Sequence, residues 1–241
     1  SFFFYSGCEN FVNNLFFSTP INQTKDCELR VHFIDVGQGD SILIELPDNK
    51  TMLIDAGPSS QEDELILYLN KIFKNKENKD IDYFVLTHPD EDHIGGADVV
   101  FDNYNVKFCY RPSVFTNDEV LNFGFVDVEI NSEPHFETAI TKMYQENCES
   151  IVTFATDNLL NLKSDCPYSI KFLAPIEERY TNSNDYSAVI MLEYKNKKFL
   201  FHFSYVLIVL YSVDSFIFNS FFHICRLLFL SLYSVLPPKS M

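Results

Sequence analysis

Between Leu86 and Gly96 the chain reads Leu-Thr-His-Pro-Asp-Glu-Asp-His-Ile-Gly-Gly, so His88, Asp90, Asp92 and His93 fall within six residues. Imidazole and carboxylate at that density suit a divalent zinc, manganese or iron ion. The segment follows an apolar run, Tyr83-Phe84-Val85-Leu86, that reads as a buried strand. In extended backbone, residues two apart project to one side, so His88, Asp90 and Asp92 can converge. His93 can turn inward as the chain enters a helix, and Gly95-Gly96 let backbone pass close to the cluster. One His or Asp alone would read as a solvated loop residue, because Pro-Asp is a common turn former. Four of them between a strand end and a Gly-Gly helix start read as a metal loop.

Such a loop needs a scaffold, and residues 29–201 have the pattern of a mixed α/β domain. Val31, Phe33 and Ile42-Leu43-Ile44 form two apolar segments broken by Gly37-Gln38-Gly39-Asp40, which predicts a strand, a tight turn and a strand. Met52-Leu53-Ile54 forms a third strand ending at Asp55-Ala56-Gly57-Pro58. Leu65, Ile66, Leu69, Ile72 and Phe73 recur at helical spacing, with Ser60 as the expected N-cap. Further strands are expected at 106–110, 169–173, 188–194 and 198–201, and a helix at 136–147. Hairpins first, then strands alternating with helices, predict sheets covered by helices and not a simple doubly wound sheet. His32 alternates with Val31 and Phe33 and is expected at the surface. Asp35 reads equally as a strand-end residue or as part of the site.

The 86–96 segment resembles the His-x-His-x-Asp-His signature of the metallo-β-lactamase fold, with Asp90 where the second histidine usually stands. Its His-x-Asp-x-Asp-His form is similar to the hydrolase-like C-terminal domain of the ComEC family of competence proteins. Val31-His32-Phe33-Ile34-Asp35-Val36-Gly37-Gln38-Gly39-Asp40-Ser41 resembles the opening strand and turn of that branch. Leu53-Ile54-Asp55-Ala56-Gly57 resembles its first fold motif. Five of the 7 glycines, at 37, 39, 57, 95 and 96, lie inside these motifs. The resemblance runs from about residue 30 to 201. It implies an α+β fold, a four-layer αββα sandwich with an incomplete C-terminal part and two divalent ions, zinc or manganese, at one edge. His88 and Asp90 would belong to the first ion, and Asp92 and His93 to the second. Asp55 and Gln38 would support the ligands from behind, with Gln38 and Asp40 on a turn at the mouth. Asp92 and Asp40 would take the catalytic roles.

Two departures from the family pattern bear on activity. The region that carries a further histidine in the general fold reads Asn182-Ser183-Asn184-Asp185-Tyr186-Ser187, which resembles the Asn-x-x-Ser form of the ComEC branch. Asn184 or Asp185 would offer an oxygen there. Phe199-Leu200-Phe201 is followed by His202-Phe203-Ser204, where the family has Thr-Gly-Asp with a metal-bridging Asp. The resemblance therefore implies ions that are incompletely held in this chain. His202 reads as a chance neighbour and not as a replacement ligand.

Charge narrows the substrates. With 18 Lys+Arg against 34 Asp+Glu, the formal net charge is -16. Such a chain repels polyphosphate over most of its surface, which excludes non-specific duplex binding through a basic face. An anionic substrate needs a local cation, and a bound metal supplies one. The six cysteines include no Cys-x-x-Cys pair, which excludes the common structural zinc and dithiol motifs.

The ends differ from the middle. Ser1 to Cys8 reads Ser-Phe-Phe-Phe-Tyr-Ser-Gly-Cys and resembles the end of a bacterial lipoprotein signal, with Cys8 as the lipidated residue. Residues 1–28 are then a signal remnant and tether, and the chain is expected outside the cytoplasm, associated with the cell membrane. The tail 202–241 carries only Asp214, Arg226 and Lys239 as charges. It reads as an out-of-frame, non-native translation, as a membrane-associated segment or as a core-forming extension. The implied activity is a metal-dependent phosphodiesterase or nuclease acting on DNA, with single-stranded DNA as the nucleic-acid partner. The alternatives are a catalytically incomplete binding remnant and a small-molecule hydrolase of the lactonase or β-lactamase type. No sequence feature points to a protein partner.

Overall fold

A computed structural model describes residues 4–6, 27–76, 79–116, 133–155, 167–177, 180, 182–203 and 209–212. Cys8, most of the tether and most of the apolar tail lie outside the described residues. The first sheet has seven strands in sequence order: β1 (Phe4–Ser6), β2 (Arg30–Phe33), β3 (Ile42–Glu45), β4 (Thr51–Ile54), β5 (Ile81–Val85), β6 (Val106–Arg111) and β7 (Glu149–Val152). Two hairpins make β2, β3 and β4 antiparallel. From β4 onward the strands are parallel. Parallel neighbours need crossovers. Here α1 (Glu62–Phe73), then α2 (Glu91–Ile94) with α3 (Ala97–Asn103), then α4 (Pro134–Gln145) provide them. The carboxyl ends of β4 and β5 therefore emerge side by side at one edge, where open α/β sheets place their ligands. The second sheet is an antiparallel meander of β8 (Tyr168–Ala174), β9 (Val189–Tyr194), β10 (Lys197–His202) and β11 (Val209–Ser212).

The period-2 alternation of the central strands fills two cores. Leu43, Leu53, Phe84 and Cys109 face the helices and pack with Leu65, Leu69 and Phe73 of α1, Phe101 of α3 and Phe136, Ile140 and Met143 of α4. Ile42, Ile44, Met52, Ile54 and Val85 face the second sheet and meet Ile170, Ile190, Leu192, Phe199 and Phe201. Strands buried on both faces read as continuous apolar runs, as Tyr83-Phe84-Val85-Leu86 does. The architecture is an α+β sandwich. All four described α-helices contribute to the first core, so three layers of the expected four lie among the described residues.

Several local expectations need correction. His32 is 2% exposed and not at the surface. The face of β2 opposite Val31 is covered by α1, and the His32 ring meets Glu45 Oε1 at 2.8 Å and the Tyr68 hydroxyl at 3.2 Å. Ser60 does not cap α1, which begins after a 3₁₀ turn (Ser59–Gln61) without a side-chain cap. Glu62, Asp63 and Glu64 in its first turn complement the helix dipole instead. Helix α4 begins at Pro134, with proline in the first turn where its missing N–H costs nothing. The strand expected at 198–201 extends to His202, and Val209–Ser212 pairs with Lys197–Leu200. Among the described residues no helix is long and apolar enough to cross a membrane.

Candidate metal centre

At the end of β4 the backbone turns through Asp55, whose φ is 55° and whose side chain is wholly buried. Its carboxylate takes three hydrogen bonds. Oδ1 accepts the Thr87 N–H at 2.8 Å, and Oδ2 accepts the Thr87 hydroxyl at 2.6 Å and His93 Nδ1–H at 2.8 Å. Backbone bonds stitch the same region: Ala56 N donates to His93 O at 2.7 Å, Gly57 N to Asp40 O at 3.0 Å and Gly96 N to Gly57 O at 3.0 Å. The turn after β2, the end of β4 and the loop after β5 are thus one bonded unit. Gly39 makes the closest approach. Its φ is 128°, and a Cβ there would lie 1.9 Å from the Asp92 carbonyl oxygen.

This bonding fixes which nitrogen of each imidazole is engaged. Thr87 Oγ1 spends its hydrogen on Asp55, so it can only accept from His88 Nδ1, 3.0 Å away. His93 spends its Nδ1–H on Asp55. Each ring is thus held by Nδ1 and keeps Nε2 for another partner, the arrangement of metal-ligating histidines whose other nitrogen is held by a carboxylate or hydroxyl. The two rings are 4.1 Å apart, centroid to centroid. Helix α2, which starts directly after Asp90, folds His93 back over His88.

Donor atoms of Asp55, His88 and His93 lie within 4.8 Å of one another. Three donors already engage the two oxygens of Asp55, an arrangement that suits it to orient the histidines. Asp90 Oδ2 stands 3.8 Å from His88 Nε2, and Asp40 Oδ2 stands 4.0 Å from His93 Nδ1. Asp92 is half-buried in the first turn of α2, and its charge acts on His88, His93 and Asp40. Gln38 sits exposed on the turn, and Asp35 is exposed at the strand end, accepting the Gly37 N–H at 3.2 Å. Glu91, which the sequence reading passed over, points away from the histidines. Its Oε1 accepts from Ser59 N at 2.9 Å and Ser59 Oγ at 2.7 Å, locking the loop to the start of α1. Asn184 and Asp185 are exposed on a 3₁₀ turn (Ser183–Tyr186). His202 ends β10 opposite Val189.

The electrostatics are those of a site with surplus negative charge. Burial opposes a charged His93, but the hydrogen bond to Asp55 and the charges of Asp55, Asp40 and Asp92 raise it to about 9. Burial and the neighbouring His93 lower His88. Burial, then Asp55, with a smaller contribution from Asp92, raises Asp40 to about 6 against the pull of His93. No lysine or arginine is among these influences. Two imidazoles among the charges of Asp40, Asp90 and Asp92 form a donor set that fits a divalent ion of borderline softness, which would displace the second proton of His93 on binding.

The family model of the metallo-β-lactamase superfamily matches residues 34–117, the span from the end of β2 through the metal loop to just beyond β6. The chain is also similar to ComE operon protein 3 of Bacillus subtilis, with 32% identity over 110 residues. That match covers 38% of this chain and 13% of the relative, so the chain spans a small part of the longer protein. A motif mutant of a metallo-β-lactamase from Cronobacter sakazakii aligns with a TM-score of 0.44 and 13% identity, covering 71% of this chain and 60% of that one. The zinc-bound PqqB of Methylobacterium extorquens aligns with a TM-score of 0.37 and 14% identity, covering 67% and 51% of the two chains.

Proposed function

We propose that this chain is a metal-dependent phosphodiesterase, with single-stranded DNA as its natural substrate. One observation carries the reading: Asp55 and Thr87 hold His93 and His88 by their Nδ1 atoms, with the two rings 4.1 Å apart and donor atoms of Asp55, His88 and His93 within 4.8 Å of one another. The match of residues 34–117 to the metallo-β-lactamase superfamily model favours hydrolysis as the coarse activity. The limited similarity to a competence operon protein favours DNA as the phosphodiester. A bound divalent ion there would polarise a phosphoryl oxygen and supply hydroxide at neutral pH. The chain's own residues do the rest. Asp55 fixes the tautomers, Glu91 anchors the loop, and His88, Asp90, Asp92 and His93 would hold zinc or manganese. Asp40, whose carboxyl is raised to about 6 by burial and by Asp55, would exchange a proton with a departing oxygen.

The test compares metal content and bis-p-nitrophenyl phosphate hydrolysis for the chain and His88→Ala, with single-stranded DNA and nitrocefin assayed in parallel. Metal uptake and phosphodiester cleavage lost in the variant support the proposal. Equal, negligible metal in both proteins would instead favour the binding remnant, for which His202-Phe203-Ser204 in place of Thr-Gly-Asp is the specific motive. Nitrocefin turnover without phosphodiester cleavage would favour the small-molecule hydrolase. We further propose attachment to the outer face of the cell membrane through a lipid on Cys8, or through the apolar tail. Fatty-acid labelling of the intact chain and of Cys8→Ser, with membrane fractionation of each, separates these two routes.

A further inference from the structure

We propose that the Ser187 hydroxyl is a substrate-binding group that donates to a non-bridging oxygen of the phosphoryl group at the metal centre; this rests on the phosphodiesterase reading. Ser187 is 5% exposed, and its Oγ has no hydrogen-bond partner among the described residues. Buried hydroxyls are nearly always partnered, so an orphan beside a candidate site points to a partner that arrives from outside the chain. Ser187 is held there firmly. Its backbone N–H donates to Asn184 O at 3.1 Å, and the next residue, Ala188, donates to Thr87 O at 3.1 Å. Thr87 is the residue that couples Asp55 to His88.

A count of donors gives the hydroxyl its role. A phosphodiester presents acceptor oxygens, yet Asp40, Asp55, Asp90 and Asp92 are themselves acceptors when ionised. The Nδ1 hydrogens of His88 and His93 are spent on Thr87 and Asp55. Ser187 brings a buried, unspent O–H to the strand end that carries His88. Hydrogen bonds to a charged partner are the strong kind, so this donor would select for an anionic, oxygen-rich substrate.

The experiment uses Ser187→Ala and Ser187→Thr in the full chain, with zinc or manganese titration, inorganic phosphate binding to the metal-loaded protein, and bis-p-nitrophenyl phosphate kinetics. Thr retains the hydroxyl. The expected result is metal affinity within about twofold of the parent in both variants, with phosphate binding and kcat/KM about tenfold or more weaker in the Ala variant alone. Thermal stability of Ser187→Ala should stay level or rise, since the substitution removes an unsatisfied group. A parent chain that binds metal and phosphate, with phosphate equally tight in Ser187→Ala, overturns this inference and leaves the phosphodiesterase reading standing. Equal losses of metal and phosphate affinity also overturn it, because they place Ser187 behind the ligands. A parent chain that takes up no metal overturns both.

Discussion

Asp55 Oδ2 and His93 Nδ1 meet at 2.8 Å, joining residues 38 positions apart in the chain. Metal affinity should therefore depend on a residue that orients the histidines. Asp55→Ala would strand the Thr87 N–H and hydroxyl and release both imidazoles from their tautomers. The expected losses are on the order of 3 kcal/mol of folding stability and at least ~10-fold in metal affinity. Urea unfolding with and without chelator, alongside zinc titration, checks both. Unchanged affinity would mean that Asp55 has only a structural role.

Asp92 offers the opposite case. Its half-buried side chain lies in the first turn of α2, so Asp92→Ala should abolish hydrolysis while shifting stability by only about 0.5 kcal/mol. Turnover at the parent rate in a folded Asp92→Ala protein would remove this carboxylate from the ligand set.

Two glycines on the mouth turn should separate backbone strain from steric contact. Gly37 has φ +73°, and a Cβ there meets nothing closer than the Gln61 side chain at 3.9 Å. Gly37→Ala should cost only the left-handed backbone, roughly 1 kcal/mol. Gly39→Ala drives a methyl group into the Asp92 carbonyl, which must move, so stability and metal binding should fall together. Melting curves and metal titrations of the two variants, run side by side, should show that contrast; equal effects would contradict it.

Acid stability is written at the opposite end of β3. Burial alone would raise Glu45, but hydrogen bonds and charge from His32 and Lys76 overcome it and hold the carboxyl at about 2. A depressed folded-state value means that this contribution is complete above pH 4.5 and is lost as pH falls from there toward 2. Glu45→Gln should therefore be less stable than the parent near neutrality and lose less on acidification. Parallel stability curves between pH 6 and 3 would contradict the assignment.

The metal loop was legible because strand, ligands and Gly-Gly turn are contiguous in the chain, and the α+β class because hairpins precede the crossovers. What escaped depends on contacts between distant segments. His32 looks like a surface residue in a strand pattern until α1 covers that face, and nothing in the order of residues shows that Glu91 will bind Ser59. Helix α3 and strand β7 are short and lack caps or clean alternation. The orphan hydroxyl of Ser187 is a property of packing and leaves no trace in residue order.

The bond from Ala188 N to Thr87 O carries the two sheets into the same chemistry. Ala188 leads into β9, whose Ile190 and Leu192 pack across the sandwich in one core with Ile42, Ile44 and Ile54 of the first sheet, so any sliding of one sheet over the other is transmitted to the residue beside His88. Trimming Phe201 deep in that interface would then be felt as a looser grip on the ion, although the phenyl ring never comes near it.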